Sequence, residues 1–169
     1  AKRHERFGVL QLDAHADLRD HYEDSPLSHA CTMARIRELT PHTLQIGIRS
    51  MSVEEARRVK VEKLNLCTMH RFREGGFDIE DGLERLPERL FITVDVDVFD
   101  WSVIASTGTP EPGGMLWDEA IRLLRMVFHK KTVIGFDVVE LAQREHDVNS
   151  PFAAAKLIYK MIGMKYNPE

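Results

Sequence analysis

Five apolar runs of strand length, separated by segments with helical character, restrict the fold of this chain more than any other feature. The runs are rich in Val, Ile, Leu and Phe and alternate poorly with polar residues, which is typical of strands buried on both faces of a parallel sheet. They occupy residues 7–13, 43–48, 64–69, 89–96 and 132–139. Helices are predicted at 28–39, 52–60, 78–86, 115–128 and 151–163. This alternation predicts right-handed βαβ units and an α/β fold with three layers, α/β/α, around a parallel sheet.

Composition and charge exclude several classes of partner. The chain has 169 residues, of which 43% are apolar, enough for one domain with a core. Its net charge of -4 and scattered Lys and Arg residues predict no nucleic-acid partner. No apolar run approaches the roughly 20 residues of a membrane span, and the N-terminal AKRHERFG lacks the core of a signal peptide. We therefore expect a cytoplasmic protein without membrane contact, in which Cys31 and Cys67 are buried thiols.

Acidic residues cluster where three of the predicted strands end. The three ends carry, in chain order, Asp13, His15 and Asp17; Asp95, Asp97 and Asp100; and Asp137 with Glu140. Because the carboxyl ends of parallel strands meet at one edge of a sheet, where ligands bind in open α/β folds, we expect these side chains to converge. Spacing of two on an extended backbone would point Asp13, His15 and Asp17 to one side, and likewise Asp95 with Asp97.

Carboxylates crowded against apolar strands repel each other, and divalent cations relieve that repulsion. Four carboxylates and one imidazole are more than one ion usually takes, and they suit two oxygen-preferring ions that share bridging acids. Mn²⁺ is favoured over Zn²⁺ because no thiolate is offered. A single DxD motif often only caps a helix, but DxHxD at one strand end together with DxD at another is hard to obtain from capping alone.

Three motifs in this order, DAHAD (13–17), DVDVFD (95–100) and DVVEL (137–141), resemble those of the ureohydrolase family of arginases, agmatinases, formiminoglutamases and guanidinobutyrases. The likeness extends from about Phe7 to Phe152 and includes IGIRSM and GTPEPGG; the stretch that begins with DAHAD looks most like agmatinase. The family's upstream Gly-Gly-Asp-His segment is missing. The resemblance therefore implies an arginase-like fold without its N-terminal portion, a single partial ureohydrolase domain over residues 1–169, and an N-terminal AKRHER that is the tail of a helix.

The resemblance also implies roles for individual residues. Asp13 and Asp95 would bridge two Mn²⁺ ions, Asp17 would complete one of them, and His15 with Asp97 would complete the other. Asp17 would also pass a proton to the departing amine. His29 matches the proton-shuttling histidine of the family, and Glu140 matches the acid that pairs with the substrate guanidinium. The implied reaction is hydrolysis of agmatine to putrescine and urea by a metal-bridging hydroxide, in a homo-oligomer that is a trimer or hexamer.

Several alternatives stay open at this point. His29 could cap its helix, and Glu140 could be a solvated acid. Without the upstream histidine, the chain could be a truncated, weakly active or inactive ureohydrolase that binds metal and associates.

Arginine, guanidinobutyrate and formiminoglutamate are less favoured substrates, because the acidic run LRDHYED after DAHAD fits a substrate with a second positive end. DVDVF also superficially resembles the nucleophile motif of haloacid-dehalogenase-type phosphatases, but it lies far from the N-terminal strand and lacks the following Thr.

Overall fold

The computed structural model describes residues 6–167, in which five strands alternate with six helices. The strands are β1 (Gly8–Leu12), β2 (Thr43–Ile48), β3 (Leu66–Thr68), β4 (Arg89–Asp95) and β5 (Thr132–Val139). The helices are α1 (Thr32–Leu39), α2 (Val53–Val61), α3 (Met69–Arg73), α4 (Ile79–Glu84), α5 (Trp117–Lys130) and α6 (Asn149–Tyr166). Two short 3-10 turns, His29–Cys31 and Val96–Val98, precede α1 and follow β4.

The five strands form one parallel sheet in the order β3-β2-β1-β4-β5. β1 lies in the centre, where Leu12 is in register with Ile46 of β2 and with Val94 of β4. The carboxyl ends of β1 and β4 are therefore neighbours. This arrangement confirms the predicted α/β fold with a parallel sheet, and it places the two main acidic clusters side by side.

Apolar side chains cover the sheet on both faces. On one face, alternate strand residues pack with α4, α5 and α6; they include Leu10, Leu12, Leu44, Ile46, Leu90, Ile92 and Val94. On the other face, a smaller cluster joins Ile48 and Leu66 to Met33 of α1 and Val59 of α2. The predicted three-layer order is confirmed. Within residues 6–167, no helix combines the length and apolar character needed to cross a bilayer.

Several element boundaries differ from the predictions. The third strand ends at Thr68, because the Thr68 hydroxyl caps the short helix α3, which was not predicted. The last helix begins at Asn149, and the Asp147 carboxylate accepts the first backbone N–H groups. The Ser150 hydroxyl does not cap this helix. It accepts the backbone N–H groups of Ala105 and Ser106, in the loop after β4. Residues 1–5, which hold most of the predicted N-terminal helix tail, lie outside the described residues.

Both cysteines, Cys31 and Cys67, are buried and free, as predicted.

Candidate functional site

The two acidic motifs leave their strands in different ways. β4 ends at Asp95, whose carboxylate accepts the Asp97 backbone N–H at 2.9 Å and caps the 3-10 turn Val96–Val98. The extended backbone predicted from Asp95 to Asp97 is therefore wrong. β1 ends at Leu12, but the chain still pairs with the segment after β2 through a parallel bridge between His15 and Ser50, and it turns at Asp17, which has a left-handed φ of 54°.

A cavity of about 320 Å³ lies at this edge of the sheet, and seven of the residues singled out in the sequence line it. They are Asp13, His15, Asp17, His29, Asp95, Asp97 and Glu140. These residues come from four segments: the loop after β1, the turn before α1, the end of β4 and the residue after β5. The convergence expected from parallel strand ends is therefore present for these residues, but Asp100 and Asp137, which were expected to join them, do not line the cavity.

Asp13, His15 and Asp97 form a compact group of possible metal ligands. Each offers one atom, and the three atoms lie within 4.8 Å of one another. His15 Nδ1 lies 2.8 Å from Asp97 Oδ2 and 3.7 Å from Asp13 Oδ1. The backbone N–H of Ala14 donates to the other Asp97 oxygen at 2.9 Å. Since His15 and Asp97 are 82 positions apart, only the tertiary structure joins them.

Asp17 and Asp95 line the same cavity but lie outside this compact group. The Asp95 side chain is buried at the end of β4. The carbonyl of Asp17 accepts the backbone N–H of Ala34 in α1 at 3.0 Å. A left-handed conformation costs a non-glycine residue roughly 1–2 kcal/mol, so such contacts must hold Asp17 in place. The five predicted ligands thus surround one cavity, with three of them within reach of a single ion.

Two buried glutamines that the sequence analysis did not single out lie beside the carboxylates. Gln11 Nε2 donates to Asp13 Oδ2 at 2.7 Å and to Asp17 Oδ2 at 3.4 Å. Gln45 Nε2, from β2, donates to Gln11 Oε1 at 2.5 Å and to the Ala16 carbonyl at 2.7 Å. Because the Gln11 oxygen faces Gln45, its nitrogen faces the acids, which only accept. The sequence carried a signal for both, since each is an amide in the middle of a buried apolar strand.

Crowding shifts the pKa values of these groups. Burial, followed by the charge of Asp13, raises the pKa of Asp17 to about 8. Burial, with the charges of Asp13 and Asp97, raises the pKa of Asp95 to about 10. Burial also raises the pKa of Asp13 to about 6. Burial disfavours ionised Asp97 too, but hydrogen bonds with His15 and a backbone N–H hold its pKa below the ordinary value. Hydrogen bonds with Asp13 and Asp97 raise the pKa of His15 to about 10.

The donor set fits divalent cations that prefer oxygen ligands. Four carboxylates and one imidazole surround the cavity, and the residues that line it include neither Cys31 nor Cys67. With their raised pKa values, Asp17 and Asp95 hold protons at neutral pH when no cation is present. A divalent cation supplies the positive charge that lets such acids ionise together, so its binding displaces protons. The residues present therefore match a metal centre in number and chemistry.

Glu140 and His29 line the cavity as exposed side chains, outside the compact ligand group. Glu140 has a left-handed φ of 64° directly after β5. The loop that contains Gly108 lies close to the Glu140 carboxylate, since a β-carbon added to Gly108 would lie 3.6 Å from Glu140 Oε2. The His29 ring lies 5.6 Å from the ring of Tyr22, edge to face. Ser28, and not His29, occupies the N-cap position of the following turn.

The acidic run that follows DAHAD does not direct its acids into the cavity. Asp20 instead lies 3.3 Å from a guanidinium nitrogen of Arg35 and 3.5 Å from one of Arg58. The run contributes Arg19 and Tyr22 to the cavity wall, with the Arg19 guanidinium 5.1 Å from the Tyr22 ring centre. The expectation that this run recognises a second positive end of the substrate is therefore not supported by its geometry.

Comparisons with known proteins identify the family of this chain. The sequence model of the arginase family matches residues 1–163. The N(1)-aminopropylagmatine ureohydrolase of Synechocystis sp. is 39% identical over 160 residues, which cover 94% of this chain and 52% of that protein. The agmatinase of Pyrococcus horikoshii is 38% identical over 154 residues, which cover 90% of this chain and 53% of that protein. The chain spans about half the length of the curated relatives it matches.

A solved structure shows the same fold. The crystal structure of agmatine ureohydrolase of Thermoplasma volcanium superposes with a TM-score of 0.83 at 30% sequence identity, over 95% of this chain and 55% of that one. The family match extends over nearly the whole sequence and includes DAHAD, DVDVFD and DVVEL, the motifs that line the cavity. This chain belongs to the arginase family.

Proposed function

We propose that this chain carries the ureohydrolase chemistry of its family, the metal-dependent hydrolysis of agmatine to putrescine and urea. The observation that supports this function most strongly is the shared cavity. Seven residues from four segments line it, and three of them lie within reach of one cation. The names of the agmatinase and aminopropylagmatine ureohydrolase relatives support a linear guanidino substrate.

In this proposal the cavity holds Mn²⁺. His15 and Asp97 would complete the first ion, Asp17 would complete the second, and Asp13 and Asp95 would be ligands of both. Bound ions of this kind supply a water of lowered pKa at neutral pH. Three of these ligands, Asp13, His15 and Asp97, form a compact group in the structure, whereas Asp17 and Asp95 lie outside it. We therefore expect the second ion to bind more weakly than the first.

The remaining proposed roles belong to side chains that face the substrate. Glu140 pairs with the substrate guanidinium by a charge-assisted hydrogen bond, which orients the guanidinium carbon for attack. Asp17 carries a proton to the departing amine nitrogen. His29, which is exposed at the cavity wall, exchanges protons between the cavity and bulk water.

N(1)-aminopropylagmatine is a second candidate substrate. The Synechocystis relative, which covers 94% of this chain, is named for it. Its guanidinium would pair with Glu140 as that of agmatine does, and the two compounds differ in the part of the molecule away from the guanidinium. The ratio of kcat/KM for the two compounds decides between them, and arginine, guanidinobutyrate and formiminoglutamate serve as further comparisons.

The test measures urea release and Mn²⁺ content of the purified chain. We expect urea from agmatine with Mn²⁺ and none after chelation. Asp97→Ala should abolish release and first-ion binding, because it removes a ligand from the compact group. Glu145→Ala is the matched control, since the Glu145 side chain is 89% exposed in a loop. A wild-type chain that binds no Mn²⁺ at millimolar concentration, or an Asp97→Ala variant with full activity, would contradict the proposal.

A metal-binding chain without turnover is the second candidate function. In this case the cavity holds a cation through the compact group Asp13, His15 and Asp97 without hydrolysing a substrate. This candidate is favoured by β5, a sheet edge strand of eight residues that offers backbone groups for association. Mn²⁺ binding and concentration-dependent association, with no urea from any guanidino compound, would identify this case.

A further inference from the structure

Arg49 joins the long loop after β4 to the candidate metal centre. Its guanidinium donates to the carbonyl of Asp97 at 2.7 Å and to that of Gly47 at 3.2 Å. It also donates to the carbonyls of Glu111 at 2.8 Å and Pro112 at 2.9 Å. One side chain thus connects β2, the end of β4 and the loop. Because hydrogen bonds from a charged donor are strong, they hold the loop backbone in a defined position.

This position brings the Glu111 side chain to His15. Glu111 Oε1 lies 3.8 Å from His15 Nε2, while the other ring nitrogen, Nδ1, lies 2.8 Å from Asp97 Oδ2. The side chains of His15 and Glu111 are 26% and 34% exposed, so the contact is partly shielded from bulk solvent. Prolines on both sides of Glu111 restrict its backbone and therefore the direction of its side chain.

The two ring nitrogens of His15 have different surroundings. A histidine that binds a metal through one nitrogen carries its proton on the other, and that N–H is commonly held by a carboxylate. Nδ1 faces Asp13 and Asp97, the other members of the compact ligand group. A cation in that group would take Nδ1, which leaves the proton on Nε2, opposite Glu111.

We propose that Glu111 is a positioning residue for His15, whose carboxylate holds the Nε2–H and keeps the ring oriented with Nδ1 toward the ligand group. Arg49 sets the place of Glu111 through its backbone. The inference rests on the proposed function only in treating His15 as a ligand. Because Arg49 binds the backbone carbonyl of Glu111, a substitution of the Glu111 side chain leaves the anchoring of the loop intact.

The test compares Glu111→Ala and Glu111→Gln with wild type and with Glu145→Ala, which removes one exposed carboxylate elsewhere. The first readout is nitrogen NMR of the His15 ring in the metal-free and Zn²⁺-bound protein, where Zn²⁺ is a diamagnetic probe. We expect the Nε2–H signal of wild type to exchange slowly with water, and Glu111→Ala to speed this exchange. Glu111→Gln keeps an acceptor oxygen and should restore most of the protection.

The second readout is Mn²⁺ affinity. Glu111→Ala should weaken binding of the first ion by about 10- to 100-fold, the usual effect of removing the partner of a histidine ligand. The thermal midpoint of the metal-free protein should not change, because the loop anchor is retained. An unchanged His15 ring spectrum in Glu111→Ala would overturn the inference. Failure of wild type to bind Mn²⁺, with a ring spectrum that depends on Glu111, would refute the metal proposal alone.

Discussion

Two residues of the candidate site, Asp17 and Glu140, have a strained backbone. Asp17 and Glu140 have φ values of 54° and 64°, a region that side chains with a β-carbon rarely adopt. Such strain persists only where surrounding contacts enforce it, and it concentrates at functional sites. At Asp17, the conformation turns the chain from the cavity edge toward α1, where Ala34 donates to the Asp17 carbonyl. The proposed metal ligand Asp17 therefore has a backbone conformation that lowers the stability of the fold.

Asp17→Gly should raise the free energy of unfolding of the metal-free chain by about 1 kcal/mol, because glycine adopts this φ without strain. It should also lower Mn²⁺ stoichiometry, since a proposed ligand is lost. Lys63→Gly is the matched control, because Lys63 has a φ of 50° and does not line the cavity. It should stabilise the chain without changing metal content. Urea denaturation and metal analysis measure both effects, and a destabilised Asp17→Gly would contradict the argument from strain.

Glu140→Gln tests the placement of the substrate. The change keeps the shape of the side chain but removes the charge that faces the guanidinium, a loss of about 1.5–3 kcal/mol for a charged hydrogen bond. We expect unchanged Mn²⁺ content and a kcat/KM for agmatine lower by roughly 10- to 150-fold. If the variant instead loses metal and keeps its activity per bound ion, Glu140 supports the metal and the substrate lies elsewhere.

At the scale of elements, α2 holds the loop after β1 through one buried acid. Glu55 Oε1 accepts the Leu18 backbone N–H at 2.8 Å, and Oε2 accepts that of Ser52 at 2.7 Å. The Ser52 hydroxyl accepts the Glu55 N–H in return, which completes a capping box at the start of α2. The same carboxylate thus caps the start of α2 and fixes the backbone of Leu18, the residue next to Asp17.

Glu55→Ala should destabilise the chain by about 2–4 kcal/mol, because it removes the cap and leaves the buried Leu18 N–H without an acceptor. Glu55→Gln offers one acceptor oxygen where two are needed and should recover roughly half of the loss. Denaturant unfolding measures both variants, with the exposed neighbour Glu54→Ala as control. Equal stability of Glu55→Ala and wild type would show that the loop needs no support from α2.

At the scale of the whole molecule, the acids at the cavity link stability to pH. The pKa of Asp17 rises from 3.8 to about 8 on folding, and that of Asp95 rises from 3.8 to about 10. The pKa of His15 rises from 6.5 to about 10. Between the two values of each group, the folded chain keeps a proton that the unfolded chain has released. The free energy of unfolding therefore falls as pH rises, from about pH 4 for the acids and from about pH 6.5 for His15.

The metal-free chain should accordingly have a lower thermal midpoint at pH 8 than at pH 5.5. Mn²⁺ should raise the midpoint more at pH 8 than at pH 5.5, because at the higher pH fewer protons compete with the ion for the carboxylates. Calorimetry in the presence of a chelator and then of Mn²⁺ gives both comparisons. A chelated chain that becomes more stable toward pH 8 would mean that the acids ionise without a cation.

The sequence by itself determined the layers of the fold and the membership of the site. Apolar runs and helical segments predict a parallel sheet because burial on both faces leaves no other arrangement for such strands. Six of the cavity residues could be predicted because side chains at the carboxyl ends of parallel strands meet at one edge, whereas His29 followed only from the family resemblance. The same argument also included Asp100 and Asp137, which do not line the cavity. The unpredicted helix α3 shows the limit of this argument, since the hydroxyl of Thr68 starts a helix where the apolar run continues.

Only the tertiary structure decided how these residues face one another. The contact of His15 with Asp97 depends on strand register across 82 positions, which no local pattern contains. Glu111 reaches His15 because Arg49 anchors its loop from another strand. Asp20, in the run that follows DAHAD, lies near Arg35 of α1 and Arg58 of α2 and does not line the cavity. The local sequence determines the secondary structure and which residues are buried, whereas the partners of each side chain come from segments distant in the chain.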